Sequence, residues 1–195
     1  TTLKILLGLV RATSGKAFLL GQPAGDVATR GRIGFLPESP YFYDYLTAEE
    51  FLGFYGQLAG LDRAAISQRV TDLLKLVGLV DARTRQLRKF SKGMLQRIGL
   101  AQALIHDPEL IILDEPMTGL DPIGRKRVRD LILSLRDQGK TVFFSTHILH
   151  DVEMICDRVG IVLKGRLVAS GRVDELVRQD HTHSVEIVCQ QVKTD

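Results

Sequence analysis

The stretch Leu110-Ile111-Ile112-Leu113-Asp114-Glu115-Pro116 decides how the rest of the chain is read. Four apolar residues without alternation predict a strand buried on both faces, the habit of a parallel sheet covered by helices. Asp114 and Glu115 then arrive at the carboxyl edge of that strand, where ligands of open parallel sheets bind. One carboxylate there can hold Mg²⁺ through its water shell, and the next can orient or deprotonate a water attacking a phosphoryl group. A strand that simply ends in two acidic residues has the same local sequence, so the flanks decide.

Those flanks alternate helix and strand. Upstream, residues 93–105 carry a helical pattern behind Ser91 as N-cap and stop at Asp107-Pro108. Downstream, Asp121-Pro122 is an N-cap and first-turn pair opening a helix that runs to Gly139. Residues 141–146 follow as a strand, 148–156 as a helix and 159–169 as a hairpin turning at Lys164-Gly165. Nearer the start, Thr47 and Glu50 form a capping box before a helix over 51–58. Asp62 caps a second, in which Ile66, Val70, Leu73, Leu74 and Val77 share one stripe and Gly78 closes it. Residues 3–10 predict the body of a buried helix, and 16–20 and 32–36 predict strands. A short helix over 173–179 and a strand beginning at 184–188 complete the pattern. The fold class is therefore α/β, a largely parallel sheet with helices on both faces, with a small helical subdomain over about 47–105 inserted between strands.

Composition permits such a core and narrows the alternatives. The chain has 195 residues, 45% hydrophobic and 25% charged, which excludes a disordered polypeptide. A formal net charge of +3 is too small to point to nucleic acid or to an anionic membrane surface. Cys156 and Cys189 form no CxxC pair and have no histidine at ligand spacing, which fits reduced thiols rather than a disulfide or zinc framework. No apolar run approaches the ~18 to 20 residues of a membrane span, so contact with a membrane would run through a partner.

Three further polar clusters converge on the edge that Asp114 and Glu115 occupy. Ser91-Lys92-Gly93-Met94 opens a helix, leaving a hydroxyl and backbone N–H groups to face an anion. Gly119-Leu120-Asp121 turns the chain sharply, and Ser145-Thr146-His147 ends the next strand with an imidazole. A lone histidine at a strand end is more often structural or solvated, and only this placement argues otherwise. His106, His150, His181 and His183 lack it and read as surface or cap residues.

In this order the motifs resemble the nucleotide-binding domain of ATP-binding cassette (ABC) transporters, over residues 1–176, with 177–195 starting a C-terminal extension. The resemblance implies a P-loop NTPase-type sheet. It makes Ser91-Lys92-Gly93-Met94 the signature motif, Leu113 to Pro116 the Walker B strand end with its catalytic glutamate, Gly119-Leu120-Asp121 the D-loop and His147 the switch histidine. Each motif alone is weak; all four in sequence are specific. The implied mechanism pairs two domains head to tail, as a homodimer, around two ATP molecules. Glu115 would polarise the attacking water, Asp114 and Glu38 would surround Mg²⁺, His147 would sense the γ-phosphate, and Asp121 would link the sites. The implied partners are separate transmembrane permease subunits at the cytoplasmic face of the membrane, often of exporters.

Two departures from the family pattern stand out. The signature is usually Leu-Ser-Gly-Gly-Gln, whereas Phe90, Lys92 and Met94 fill its first, third and fifth positions here. Lys92 either adds a cation to the phosphate site or points to solvent. Glu38, after Pro37, stands where the family's Q-loop usually has glutamine, and it adds negative charge near Asp114 and Glu115. The aromatic run Tyr41-Phe42-Tyr43-Asp44-Tyr45 that follows offers either a partner groove or the core of the helical insert.

The opening residues TTLKILLGLV resemble the helix that follows the phosphate loop in this family, with Lys4 and Gly8 in register. That register places the loop's lysine two positions before Thr1 and makes Thr1 a contact to the nucleotide phosphates, not the metal ligand. No G-x-x-x-x-G-K-[ST] occurs within the 195 residues, and without its amides and lysine the phosphates lack a cradle. The expectation is a cassette cut just after its Walker A motif, inactive by itself, from a Mg²⁺-dependent ATPase parent. Two rivals remain at this point: a degenerate cassette with a binding or regulatory role, and a soluble ABC ATPase. The second usually splits its sheet with long coiled coils, where this chain has a compact helical stretch.

Overall fold

The computed structural model describes residues 2–179, and the chain divides after His147 into two compact units. Thr1 and residues 180–195, with the expected strand over 184–188, lie outside the described residues.

The first unit is ordered α1 (Thr2–Leu6), β1 (Phe18–Leu19), β2 (Gln22–Pro23), α2 (Val27–Arg30), β3 (Ile33–Leu36), α3 (Ala48–Leu58), α4 (Arg63–Leu76), α5 (Lys92–Ala103), β4 (Leu110–Leu113), α6 (Pro122–Asp137) and β5 (Thr141–Phe144). β3, β4 and β5 form a parallel sheet with β4 in the middle, Leu36 level with Leu113 and Leu113 with Phe144. All four β4 residues are buried, as an unbroken apolar run requires between two covered faces. Alternation along the strands assigns the faces. Ile33 and Ile112 pack with Leu3 and Leu7 around α1 on one side. Leu36, one residue out of phase with Phe35, lies against Gly99 of α5 on the other. The sheet is thus helix-covered on both faces, as the sequence predicts.

Helix ends follow their local chemistry. The Thr47–Glu50 capping box is formed in both directions, with the Thr47 amide 2.8 Å from Glu50 Oε2 and the Glu50 amide 3.3 Å from Thr47 Oγ1. Asp62 caps α4 through the Ala65 amide, and Val70, Leu73, Leu74 and Val77 of its stripe are buried. α1 is shorter than the expected 3–10. Gly8, at φ +69°, closes it with bonds from the Gly8 amide to the Ile5 carbonyl and from Leu9 to Lys4, leaving Leu9 and Val10 exposed. Gly78 ends α4 by the same pair of bonds.

The strand expected over 16–20 is likewise reduced. Leu20 and Gly21, both at positive φ, turn the chain back so that Leu19 pairs with Gln22 in a two-residue hairpin. Gly21 completes the turn, and Gln22 and Pro23 form the returning strand. The sequence signals also pass over α2, which Asp26 caps through Thr29.

The second unit holds α7 (Leu149–Ile155), β6 (Arg158–Leu163), β7 (Arg166–Arg172) and α8 (Val173–Gln179). β6 and β7 are an antiparallel hairpin turning at Lys164-Gly165, both at positive φ, as expected.

Candidate functional site

The β-ladder continues one residue past β4 and β5 at the carboxyl edge. The Asp114 amide donates to the Leu36 carbonyl at 2.8 Å, and the Ser145 amide to the Leu113 carbonyl at 3.0 Å. These bonds hold the chain ends of β3, β4 and β5 in register where the acidic pair emerges. Ser145 Oγ then donates to Asp114 Oδ1 at 2.7 Å and accepts from the Glu115 amide at 2.9 Å. Glu115 Oε2 accepts from Thr118 Oγ1 at 2.8 Å and lies 3.0 Å from His147 Nδ1. An ionised carboxylate only accepts, so Nδ1 is the donor in that pair. Glu115 is 21% exposed at its side chain and His147 68%, a sheltered acid beside an open imidazole.

Glu115 adopts φ +51°, in the left-handed region. A non-glycine residue held there costs on the order of 1–3 kcal/mol and persists only where its surroundings over-determine it, most often at functional sites. The bonds from Ser145, Thr118 and His147 supply that determination. They also leave Glu115 Oε1 without a hydrogen bond among the described residues, a position from which it can accept one from water.

The residues expected at the helix starts form a second group. Ser91 caps α5 by accepting from the Met94 amide at 3.3 Å, which leaves its hydroxyl proton available to an anion. Met94 contributes its amide to that cap. Gly93 lies 3.9 Å, at its prospective Cβ, from Leu120, and the Lys92 side chain lies across Gly119. Lys92 thus folds onto the turn of its own chain. Asp121 caps α6 through the Gly124 amide at 2.8 Å, with Pro122 in the first turn. Gln96, buried at 8% exposure, joins the two groups by donating to the Pro116 carbonyl at 2.8 Å.

Glu38 follows β3 at the same edge, exposed and without a hydrogen bond or ion pair among the described residues. Thr1 lies outside the described residues. Among the described residues no three His, Cys, Asp or Glu side chains gather into a metal cage. Mg²⁺ does not need one: it keeps several waters and is held by one or two carboxylates with substrate phosphates. Asp114 fits that role, since Ser145 occupies Oδ1 and Oδ2 accepts no hydrogen bond among the described residues.

The aromatic run divides between its two readings. Phe42 packs on Phe51 and Tyr43 on Phe54, inside the helical stretch. Tyr41 and Tyr45 remain 81% and 61% exposed. His106, expected at the surface or in a cap, is half-buried with Nε2 3.1 Å from the Ile33 carbonyl. Sequence reasoning assigned no role to Ser145, Thr118 or Gln96. Thr118 had a usable signal, lying three residues after Glu115 at turn spacing. Ser145 and Gln96 act across long sequence separations, which no local pattern reports.

Comparison with known proteins gives this geometry its family. The ABC transporter family matches residues 1–118. An uncharacterized ABC transporter ATP-binding protein of Synechocystis is 54% identical over 187 residues, covering 95% of this chain and 53% of its own length. The bacitracin transport ATP-binding protein BcrA of Bacillus licheniformis is 40% identical over 186 residues, 94% of this chain and 60% of its own. The chain therefore spans little more than half the length of these relatives. A solved ATP-binding subunit of an ABC transporter superposes with a TM-score of 0.80 at 32% identity, over 92% of this chain and 76% of that one. A parallel sheet that delivers an Asp-Glu pair beside a strand-end histidine, with matches of this extent, places the chain in the ABC transporter family, among its ATP-binding subunits.

Proposed function

We propose that this chain is the hydrolytic part of an export ATPase, in which two copies close head to tail on ATP and drive a separate membrane permease. The observation that carries the reading is Glu115, whose Oε2 is held by Thr118 and His147 while Oε1 has no hydrogen bond among the described residues. In this reading Glu115 orients and deprotonates the attacking water, and His147 reports the γ-phosphate to it. Asp114 is the metal-side carboxylate, and bound Mg²⁺ would neutralise charge developing on the phosphoryl oxygens. Ser91, Lys92, Gly93 and Met94 face the nucleotide of the opposing copy, Asp121 lies between the two sites, Glu38 flanks the metal shell and Thr1 the phosphates. Residues 47–105 act as the helical subdomain of a domain that ends near 176. Export is supported by a relative named for bacitracin transport.

No helix among the described residues is long and apolar enough to cross a membrane. The subunit would sit at the cytoplasmic face through its permease. The 195 residues contain no phosphate-cradling G-x-x-x-x-G-K-[ST], so as an isolated polypeptide they bind ATP weakly and do not turn it over.

The test compares the full-length ATPase with its Glu115→Gln variant. Glutamine cannot take the proton, so turnover falls on the order of 10²- to 10⁴-fold while ATP binding persists and an ATP-bound dimer accumulates. Equal hydrolysis by the two proteins removes Glu115 from this role. ATP turnover by the 195-residue polypeptide would overturn the reading of it as inactive.

A further inference from the structure

We propose that Ser145 is a positioning residue for phosphoryl chemistry at this edge, a single hydroxyl that sets both acidic residues at once. The proposal rests on the reading of Glu115 given above. The Ser145 hydroxyl is used in both directions: its proton goes to Asp114 Oδ1 at 2.7 Å, and its lone pair receives the Glu115 amide at 2.9 Å. Its own position is fixed by the backbone, because the Ser145 amide bonds the Leu113 carbonyl at 3.0 Å in continuation of the β4–β5 ladder.

Two consequences follow for the acids. With Oδ1 of Asp114 committed to Ser145, the carboxylate presents Oδ2 in one orientation toward a metal. The amide bond anchors Glu115 at φ +51°, a conformation its own backbone disfavours. The Thr118 and His147 side chains reach only the carboxylate, at Oε2, and the Thr118 amide meets Glu115 at its carbonyl, at 3.2 Å, not at its N–H. Ser145 is therefore the side-chain partner that holds the backbone of the acid. Without the hydroxyl the Glu115 amide loses that partner, the residue relaxes toward ordinary φ, and Oε1 swings away from its water.

The test uses the full-length ATPase and a near-isosteric pair, Ser145→Thr, which keeps the hydroxyl, and Ser145→Val, which replaces it with a methyl group. Ser145→Ala is a third variant without added bulk. Hydrogen exchange at the Glu115 amide is read without nucleotide, and kcat and KM for Mg-ATP are read separately. Loss of one such hydrogen bond is expected to speed exchange about tenfold in Ser145→Val and Ser145→Ala. The same two variants lower kcat by at least about tenfold with a smaller change in KM, and Ser145→Thr stays near the native protein in both readings. Native-like exchange and kcat in Ser145→Ala overturn the proposal, as does a Ser145→Thr variant no better than Ser145→Val. Full turnover by Glu115→Gln would instead sink the role of Glu115, while faster exchange in Ser145→Val would still establish the anchor.

Discussion

His147 Nδ1 and Glu115 Oε2 lie 3.0 Å apart across the ends of two neighbouring strands, so imidazole and carboxylate form one hydrogen-bonded unit. Groups that act as a unit lose their effect together. Glu115→Gln and His147→Ala should each lower kcat in the full-length ATPase, by on the order of 10²-fold or more. The double variant should fall less than about tenfold below the weaker single one. Single-turnover hydrolysis of ATP measures all three, and strictly multiplicative losses would show that the contact has no part in turnover.

Gly119 sits at φ +70° with the Lys92 side chain across it, so an added methyl group meets two obstacles. The left-handed backbone alone costs a non-glycine residue about 1–2 kcal/mol. Urea denaturation should find Gly119→Ala destabilised by at least that much. Adding Lys92→Ala should restore only the part due to the clash, since the backbone conformation is unchanged. A Gly119→Ala protein as stable as the parent would show that this turn is not held at positive φ.

His106 makes stability depend on pH in a direction fixed by its surroundings. Burial holds its pKa below the usual 6.5, against the bond to the Ile33 carbonyl and nearby Asp107, which pull it up, while Arg69 pushes it down. As pH falls through 6.5 the unfolded chain takes up the proton first, so stability drops until the lower folded-state pKa is passed. Thermal melts at about pH 7.5 and about pH 5.5 should show a larger loss for the native protein than for His106→Gln, which has no titrating ring. Equal losses would mean that His106 titrates alike folded and unfolded.

Cys156, at the C-terminal end of α7, should be unreactive. Burial, aided by Asp157 and Asp151, pushes its thiol up to about 11. At pH 8 the thiolate is then only about one part in a thousand. In a Cys189→Ser variant, a disulfide reagent should modify Cys156 far more slowly in buffer than in urea. Equal rates would place the thiol in solvent.

Much of the fold was legible because its signals are local. The capping box at Thr47 and Glu50, the caps at Asp62 and Asp121, and the unbroken apolar run of β4 each depend on residues within one turn or one strand. The failures were local competitions decided by few atoms. The helix expected to reach Val10 ends at Leu6 because Gly8 takes the left-handed conformation and Leu9 bonds back to Lys4. The strand expected at 16–20 became a hairpin because Leu20 shares the positive φ of Gly21. Leucine gives no warning of that.

Periodicity and helix caps act over a few residues, so the α/β class, the order of the polar motifs and their arrival at the carboxyl edge of a parallel sheet can be read from the chain alone. How those groups meet depends on packing. Ser145 reaches Asp114 and Glu115 from thirty or so positions away because the β4–β5 register sets the two strand ends side by side. Lys92, for which the sequence left two directions open, lies over Gly119 because α5 begins beside that turn. A hydrogen bond needs distance and direction within tenths of an ångström, and between residues far apart in the chain only packing supplies them.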